Sequence, residues 1–282
     1  MQKLSSDRRS LISSVFQSTC RSRRDYRRAW LLAASLLASL SVAIHPGQAQ
    51  SPAATAPAQL KTLLSEIDAA ANRRNAQSVV EFYSPTFTHS DGLNRQTLQE
   101  SLSALWKRYP NLNYRTELKS WKREGNVIVA QTVTYITGTK KEGDREFKLN
   151  SQLESRQRIE NQKIVSQEIL TERSQLTSGT KPPTLKISLP EQVRSGQEFS
   201  FDAIVQEPLG EDLLMGAALE ETIKPDGFLK VTTVNLEPLN SGGIFKVGRA
   251  PNNTEQHWLS AVVVRHDGIT MVTQRLRIQG RK

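Results

Sequence analysis

From Tyr114 to Leu170 the chain alternates polar and apolar residues at period two. The turns Glu124-Gly125-Asn126, Lys140 to Asp144 and Glu160-Asn161-Gln162 divide this stretch into four segments. Successive side chains of a strand point to opposite faces, so alternation over this length demands strands with one covered face. Turns this short join only antiparallel neighbours. The pattern predicts a four-strand antiparallel meander. Tyr114, Thr116, Leu118 and Ser120 share a face of the first strand. Val127, Val129, Gln131, Val133 and Tyr135 share one on the second, and Phe147 through Ile159 alternate along the third.

The covering layer is readable upstream. Leu60, Leu63, Leu64, Ile67, Ala70 and Ala71 recur at helical spacing. A second helix carries Val79, Val80, Phe82 and Tyr83 and is stopped by Ser84-Pro85. Thr86 to Asp91 alternates as a short strand, and Gly92 supplies a turn. Asn94 is placed as the N-cap of a third helix, whose apolar stripe is Leu98, Leu102, Leu105, Trp106 and Tyr109.

Three helices, a strand between the second and third, then a four-strand meander is an order that resembles the nuclear transport factor 2-like superfamily. This is the cone shared by ketosteroid isomerase-like and polyketide cyclase-like (SnoaL-like) proteins. The resemblance covers residues 58–174. It rests on element order and on Phe82 to Phe87, His89-Ser90-Asp91-Gly92 and Leu98 to Trp106. It implies a pocket between a concave sheet and the helices. Enzymes, binding modules and association domains all use this scaffold.

Strand parity then directs His89, Asp91, Tyr114, Thr116, Gln131, Tyr135, Ser151, Ser155 and Gln157 inward. Proton-transfer chemistry needs a carboxylate or imidazole in such a pocket. His89 and Asp91, two apart on one strand, are the candidate catalytic pair, with side chains about 7 Å apart. Equally, an aspartate before glycine commonly bonds nearby backbone N–H groups in a turn. Tyr114, Gln131, Tyr135, Ser151 and Gln157 are the candidate ligand-binding set, since amides and hydroxyls can orient a small molecule. Trp106 and Tyr109 belong to the helical stripe. Trp121 falls on the convex sheet face, where a domain or subunit could cover it.

Thr177 to Pro183 reads as a linker. Beyond it, seven short alternating runs are separated by Gly-, Pro- and Asn-bearing turns, the pattern of an antiparallel sandwich. It looks like the immunoglobulin-like domains of exported bacterial proteins without their paired cysteines, with Trp258 packed between the sheets. The expected fold is thus an α+β cone, three helices on a curved antiparallel sheet, followed by an all-β immunoglobulin-like sandwich. The expected boundaries are 1–49, 50–57 (spacer), 58–176, 177–183 (linker) and 184–280.

The formal charge of +10 suggests nucleic acid, but its distribution argues otherwise. Residues 1–49 hold eight basic residues and two acids, leaving 30 basic against 26 acidic, a net +4. That field is too weak to gather phosphates. The early charges flank an uncharged apolar run, Ala29 to Ile44, broken by His45-Pro46-Gly47 and followed by a small-x-small exit. A positive flank, a short apolar run and such an exit describe a secretory signal peptide cleaved after Ala49. An uncleaved N-terminal anchor and the twin-arginine route (Arg27-Arg28) are the alternatives. Cys20, the one cysteine, lies upstream of the run. It excludes a disulfide scaffold and any cysteine-built metal centre.

These readings predict an exported periplasmic or extracellular protein. It is expected to be non-enzymatic and to bind a small molecule or protein partner. No cofactor, metal or nucleic acid is expected, membrane contact is expected only through the N-terminal segment, and a homodimer could form through the cone sheet. A cofactor-independent lyase or isomerase using Asp91 and His89 is the alternative.

Overall fold

A computed structural model describes residues 50–208, 210, 212–229, 233–239 and 242–280, and the structural statements below concern these. The expected signal peptide at 1–49 lies outside the described residues.

The meander is built from β3 (Asn111–Glu124), β4 (Val127–Glu142), β5 (Arg145–Glu160) and β6 (Lys163–Gly179). Before it come β1 (Ser51–Pro52), a 3-10 turn (Ala53–Thr55), α1 (Ala58–Asn72), α2 (Ala76–Val80), β2 (Tyr83–His89) and α3 (Arg95–Arg108). After it come β7 (Leu185–Ser188), β8 (Gln192–Arg194), β9 (Glu198–Val205), β10 (Met215–Thr222), a second 3-10 turn (Pro225–Leu229) and β11 (Glu237–Pro238). β12 (Gly243–Arg249), β13 (His257–Arg265) and β14 (Gly268–Gln279) complete the order.

The helices form where the spacing requires. Leu60, Leu63, Leu64, Ala70 and Ala71 bury one face of α1. Fully burying a leucine side chain stabilises by about 1.5–3 kcal/mol. α3 starts in a capping box: the Asn94 side chain accepts from Thr97 N–H, and the Asn94 N–H donates to Thr97 Oγ1 at 2.8 Å. Lys107 and Arg108 close its last turn, where cations complement the helix dipole. The helices and sheet share one apolar cluster that includes Leu60, Phe87, Trp106, Tyr114, Ala130 and Ile164.

The expected cone followed by a separate immunoglobulin-like sandwich is overturned. β6 runs on to Gly179 and pairs with β14 from Arg173↔Gln274 to Gly179↔Gly268. One 11-stranded sheet therefore runs β1-β3-β4-β5-β6-β14-β13-β10-β11, with β2 beside β6 and β8 beside β14. The strands after Pro183 divide between this sheet and a three-stranded one, β12-β9-β7. The smaller sheet packs Phe199, Phe201 and Ala203 against Leu259, Ala261 and Val263 of β13.

The expected linker takes part in this join. Residues 177–179 belong to β6, and the N–H groups of Thr180 and Lys181 donate to the Asp267 carbonyl at 2.9 and 3.2 Å. Thr270 Oγ1 donates to the Pro183 carbonyl at 2.6 Å. The expected spacer at 50–57 is likewise structured: Ser51 and Pro52 pair with Trp121 and Ser120.

The two covering layers lie on opposite faces. The helices cover β3 to β6 on the face of Ala130 and Tyr114, while the small sheet covers β10, β13 and β14 on the other. The helix-side face of β14, β13 and β10 is thus left to the 3-10 turn at Pro225–Leu229.

Candidate functional site

The site begins with β6, whose seventeen residues pair with β5 along nearly their whole length and leave the opposite edge to two other strands. Along one edge, its first part pairs with β2 in parallel (Tyr83↔Ile164 to His89↔Gln167) and its last part with β14. β2 and β14 thus approach end to end. Asp91, just past β2, meets Arg275, one residue beyond the last β14–β6 pair.

Arg275 donates to both Asp91 carboxylate oxygens, Nη1 to Oδ1 and Nη2 to Oδ2, at 2.8 Å each. Its Nη2 also donates to Glu172 Oε2 at 2.9 Å, and the Trp258 indole N–H donates to the same oxygen at 2.9 Å. The Asp91 and Arg275 side chains are each only 1% exposed. A bidentate guanidinium–carboxylate pair is the form in which burial of charge is tolerated.

His89 joins as a neutral group. Its Nδ1 accepts the Asp91 backbone N–H at 3.1 Å, so the ring proton belongs on Nε2. Burial pushes the imidazole below its usual range; Asp91 opposes that shift and Arg275 adds to it. The 3.7 Å approach of Nδ1 to Asp91 Oδ2 is therefore contact between a neutral ring and a carboxylate already paired elsewhere. Ser90 closes the turn: its hydroxyl donates to Asp91 Oδ1 at 3.2 Å and accepts from Ile169 N–H at 3.2 Å. Gly92 follows at φ +79°, where a Cβ would press on Pro225 Cγ at 3.2 Å.

The other expected site residues separate. Tyr114 faces the helices, and its hydroxyl accepts from the Trp106 indole at 2.9 Å inside the apolar cluster. Burial pushes its phenol up to about 12, although the Trp106 hydrogen bond opposes this. Ser151 and Gln157 also face the helices and are buried; Ser151 bonds Ser174 at 2.7 Å. Gln131 and Tyr135 do not face inward as expected. Ala130, Ile128 and Ile136 hold the helix side of β4, so the odd-numbered residues point away from it. There Gln131 donates to Glu154 at 2.6 Å and Tyr135 stacks under the Arg115 guanidinium at 4.4 Å.

Trp121 is also corrected. The register shift between Leu118 and Ser120 turns it to the helix side, where its indole donates to Thr55 Oγ1 at 3.2 Å. Trp258 lies on the opposite face from the inter-sheet core, edge-to-face with Phe228 at 5.0 Å.

Above the ion pair the sheet opens into a groove of about 880 Å³. One register row crosses the molecule: Tyr114, Ile136, Ser151, Ser174, Thr273, Ser260 and Leu219 are successive neighbours. Its middle, from Ser151 to Ser260, carries four hydroxyls, and Leu219 ends it on the open side. Ser174, Thr273 and Ser260 line the groove floor. Arg108, Tyr109 and Lys140 form one wall, and Asp226, Phe228 and Trp258 the other. Lys140 is bridged to Glu142 at 2.7 Å.

Sequence reasoning missed Arg275, Glu172, Ser260 and Thr273. Arg275 lies 184 residues from Asp91, and no local pattern links them. The usable signal was parity: Thr273 and Arg275 put polar groups on one face of a strand whose other face, with Val272, Leu276 and Ile278, is largely apolar.

Residues 180–279 match a family described as a domain of unknown function (DUF8623). The match starts one residue after β6 ends and stops on the last residue of β14. No curated protein matches the chain. Solved structures similar to it include AclR, a hydroxylase candidate from Streptomyces galilaeus. It is 20% identical, with TM-score 0.32, covering 40% of this chain and 79% of AclR. A SnoaL-like polyketide cyclase candidate from Shewanella putrefaciens is 11% identical, with TM-score 0.30, covering 40% of this chain and 89% of its own. An LEH-like epoxide hydrolase from M. tuberculosis is 7% identical, with TM-score 0.28, covering 39% of this chain and 80% of its own.

Proposed function

We propose that this chain is an exported, non-enzymatic binding protein whose ligand or partner occupies the groove on the helix side of the shared sheet. One observation carries the reading: both oxygens of Asp91 are engaged by Arg275 at 2.8 Å in a cluster with almost no exposure. A carboxylate so held is committed to joining strands and has no lone pair aimed at a substrate. The helix-backed interior is occupied by leucines, Trp106 and Tyr114, and among the described residues the groove, at about 880 Å³, is more voluminous than the next concavity, at about 520 Å³. Export rests on the charged flank, apolar run and small-residue exit of residues 21–49.

The test is a thermal-shift screen of the exported protein against a metabolite library, followed by mass analysis of each ligand after incubation. The expected result is a stabilising ligand recovered unchanged. Its effect should be lost when Thr273→Trp fills the groove floor and kept in His89→Gln. Recovery of a chemically altered ligand, with the alteration abolished by Asp91→Asn, would overturn this reading in favour of a lyase or isomerase.

A further inference from the structure

Given the binding function proposed above, on which this inference rests, we propose that the groove is a site for a neutral saccharide, held between the Phe228–Trp258 edge and the hydroxyl row on the sheet. The groove volume of about 880 Å³ falls within the range of small-molecule sites, about 300–1,000 Å³.

The floor selects a polar ligand. Ser260 and Thr273 bond each other at 2.7 Å, and Ser174 bonds Ser151 at 2.7 Å. Each hydroxyl offers one donor and two lone pairs. Ser260 and Ser151 are buried, so the half-buried Thr273 and Ser174 are the members that turn remaining hydrogen-bonding capacity to the groove, beside Leu219 and Met271. A wholly apolar ligand laid on this floor would strip water from Thr273 and Ser174 and return no hydrogen bonds.

The walls argue against a charged ligand. The carboxylates of Glu142, Glu172, Glu221 and Asp226 line the groove with three cations, Arg108, Lys140 and Lys224. Lys140 is bridged to Glu142, and Lys224 stands 3.6 Å from Glu255. An anion would therefore meet four carboxylates beside three cations, two of them already paired. An organic cation is best held by rings enclosing it. Here Phe228 and Trp258 pack into each other at 83° and make an edge instead of a cage.

The Trp258 indole N–H is already given to Glu172. What the ring offers the groove is hydrocarbon and π surface. A pyranose presents C–H groups on one side and hydroxyls around its rim. It can set the first against the aromatic edge while the rim reaches Thr273, Ser174 and the carboxylates. That match of a ringed apolar face with a hydroxyl border is what this lining supplies.

The experiment is calorimetric titration of the full exported protein with cellohexaose, maltohexaose and the N-acetylglucosamine hexamer, beside oligogalacturonate and spermine. At least one neutral sugar is expected to bind. Phe228→Ala and Thr273→Val should each weaken it by on the order of tenfold, with circular dichroism unchanged. Thr273→Val conserves shape and removes only the hydroxyl, so it keeps the test valid if Phe228→Ala disturbs folding. Sugar binding that survives Thr273→Val would overturn the proposal. So would oligogalacturonate or spermine binding with no neutral sugar bound, although the binding reading would then stand. Failure of all five probes overturns the saccharide assignment alone; the binding reading fails only if the library screen also finds no ligand.

Discussion

At the scale of residues, charge is placed where the fold most needs direction. Arg275 and Asp91 are 1% exposed, so removing one partner strands the other without water. Arg275→Met is expected to destabilise the protein by about 3–5 kcal/mol, read from the urea midpoint. Asp91→Leu together with Arg275→Met should recover much of that loss, because no unpaired charge then remains at their contact. A double variant as unstable as the single one would show that the pair is not the source of the cost.

Titration works from both ends of the pH scale. His89 is held neutral by burial, whereas in the unfolded chain an imidazole protonates near pH 6.5. The unfolded state thus binds more protons below about pH 6.5, and native stability falls as pH drops through that window. His89→Gln should flatten the stability slope between about pH 7.5 and 5.5. On the alkaline side, burial, reinforced by Asp68, pushes the Tyr83 phenol up to about 12. The unfolded phenol ionises near pH 10, so stability present below that pH is lost as pH rises from about 10 towards 12. Tyr83→Phe should postpone alkaline unfolding, followed by circular dichroism.

At the scale of elements, the decisive feature is the end of β6. Gly179 adopts φ +101°, and a Cβ there would overlap the Asp267 carbonyl oxygen; a Cβ on its register partner Gly268 would overlap the Pro182 backbone. Gly125 has φ +61° with nothing near its missing Cβ. Gly179→Ala should therefore cost at least about 2 kcal/mol, and Gly125→Ala only about 1 kcal/mol. Equal costs in urea melts would mean that the join between β6 and β14 is looser than its register.

This join also marks where the sequence stopped being legible. The helices, the Asn94 cap and the meander are local: spacing, cap chemistry and turns within a few residues specify them. The pairing of β6 with β14 joins residues about 90–100 apart, and alternation reports only that a strand has two faces, not which strand lies beside it. Pro182-Pro183 added a misleading stop signal, because a proline pair reads as a break even where the next strand returns alongside the last. Parity failed for Trp121 for a related reason: a bulge near Lys119 reverses every face assignment beyond it. On β4 the residues sharing a face were legible, but whether that face met the helices was not. Gln131 and Tyr135 were therefore grouped correctly and aimed to the wrong side. The Asp91–Arg275 contact inherits all of this, because it exists only once β2 and β14 share an edge of β6.

For the whole molecule, a sheet running through both halves removes the usual reason for independent unfolding. The family match at 180–279 marks a unit of sequence, yet that unit's largest strands complete a sheet begun elsewhere. Separating the halves at residue 179 would expose the far edge of β6, leave Asp91 buried near that edge without its guanidinium, and strip the groove of one wall. An unpaired strand edge also templates association. Calorimetry of the intact protein is therefore expected to give a single transition whose calorimetric and van't Hoff enthalpies agree. Arg275→Met should lower that one transition and leave it undivided. Residues 50–179 expressed alone should aggregate or elute as oligomers, while equimolar 180–280 added during refolding restores a monodisperse species. Two resolved transitions in the intact protein, or a stable monomer from residues 50–179, would mean that the strands touch without sharing their stability, and the groove would then lie between bodies free to move apart.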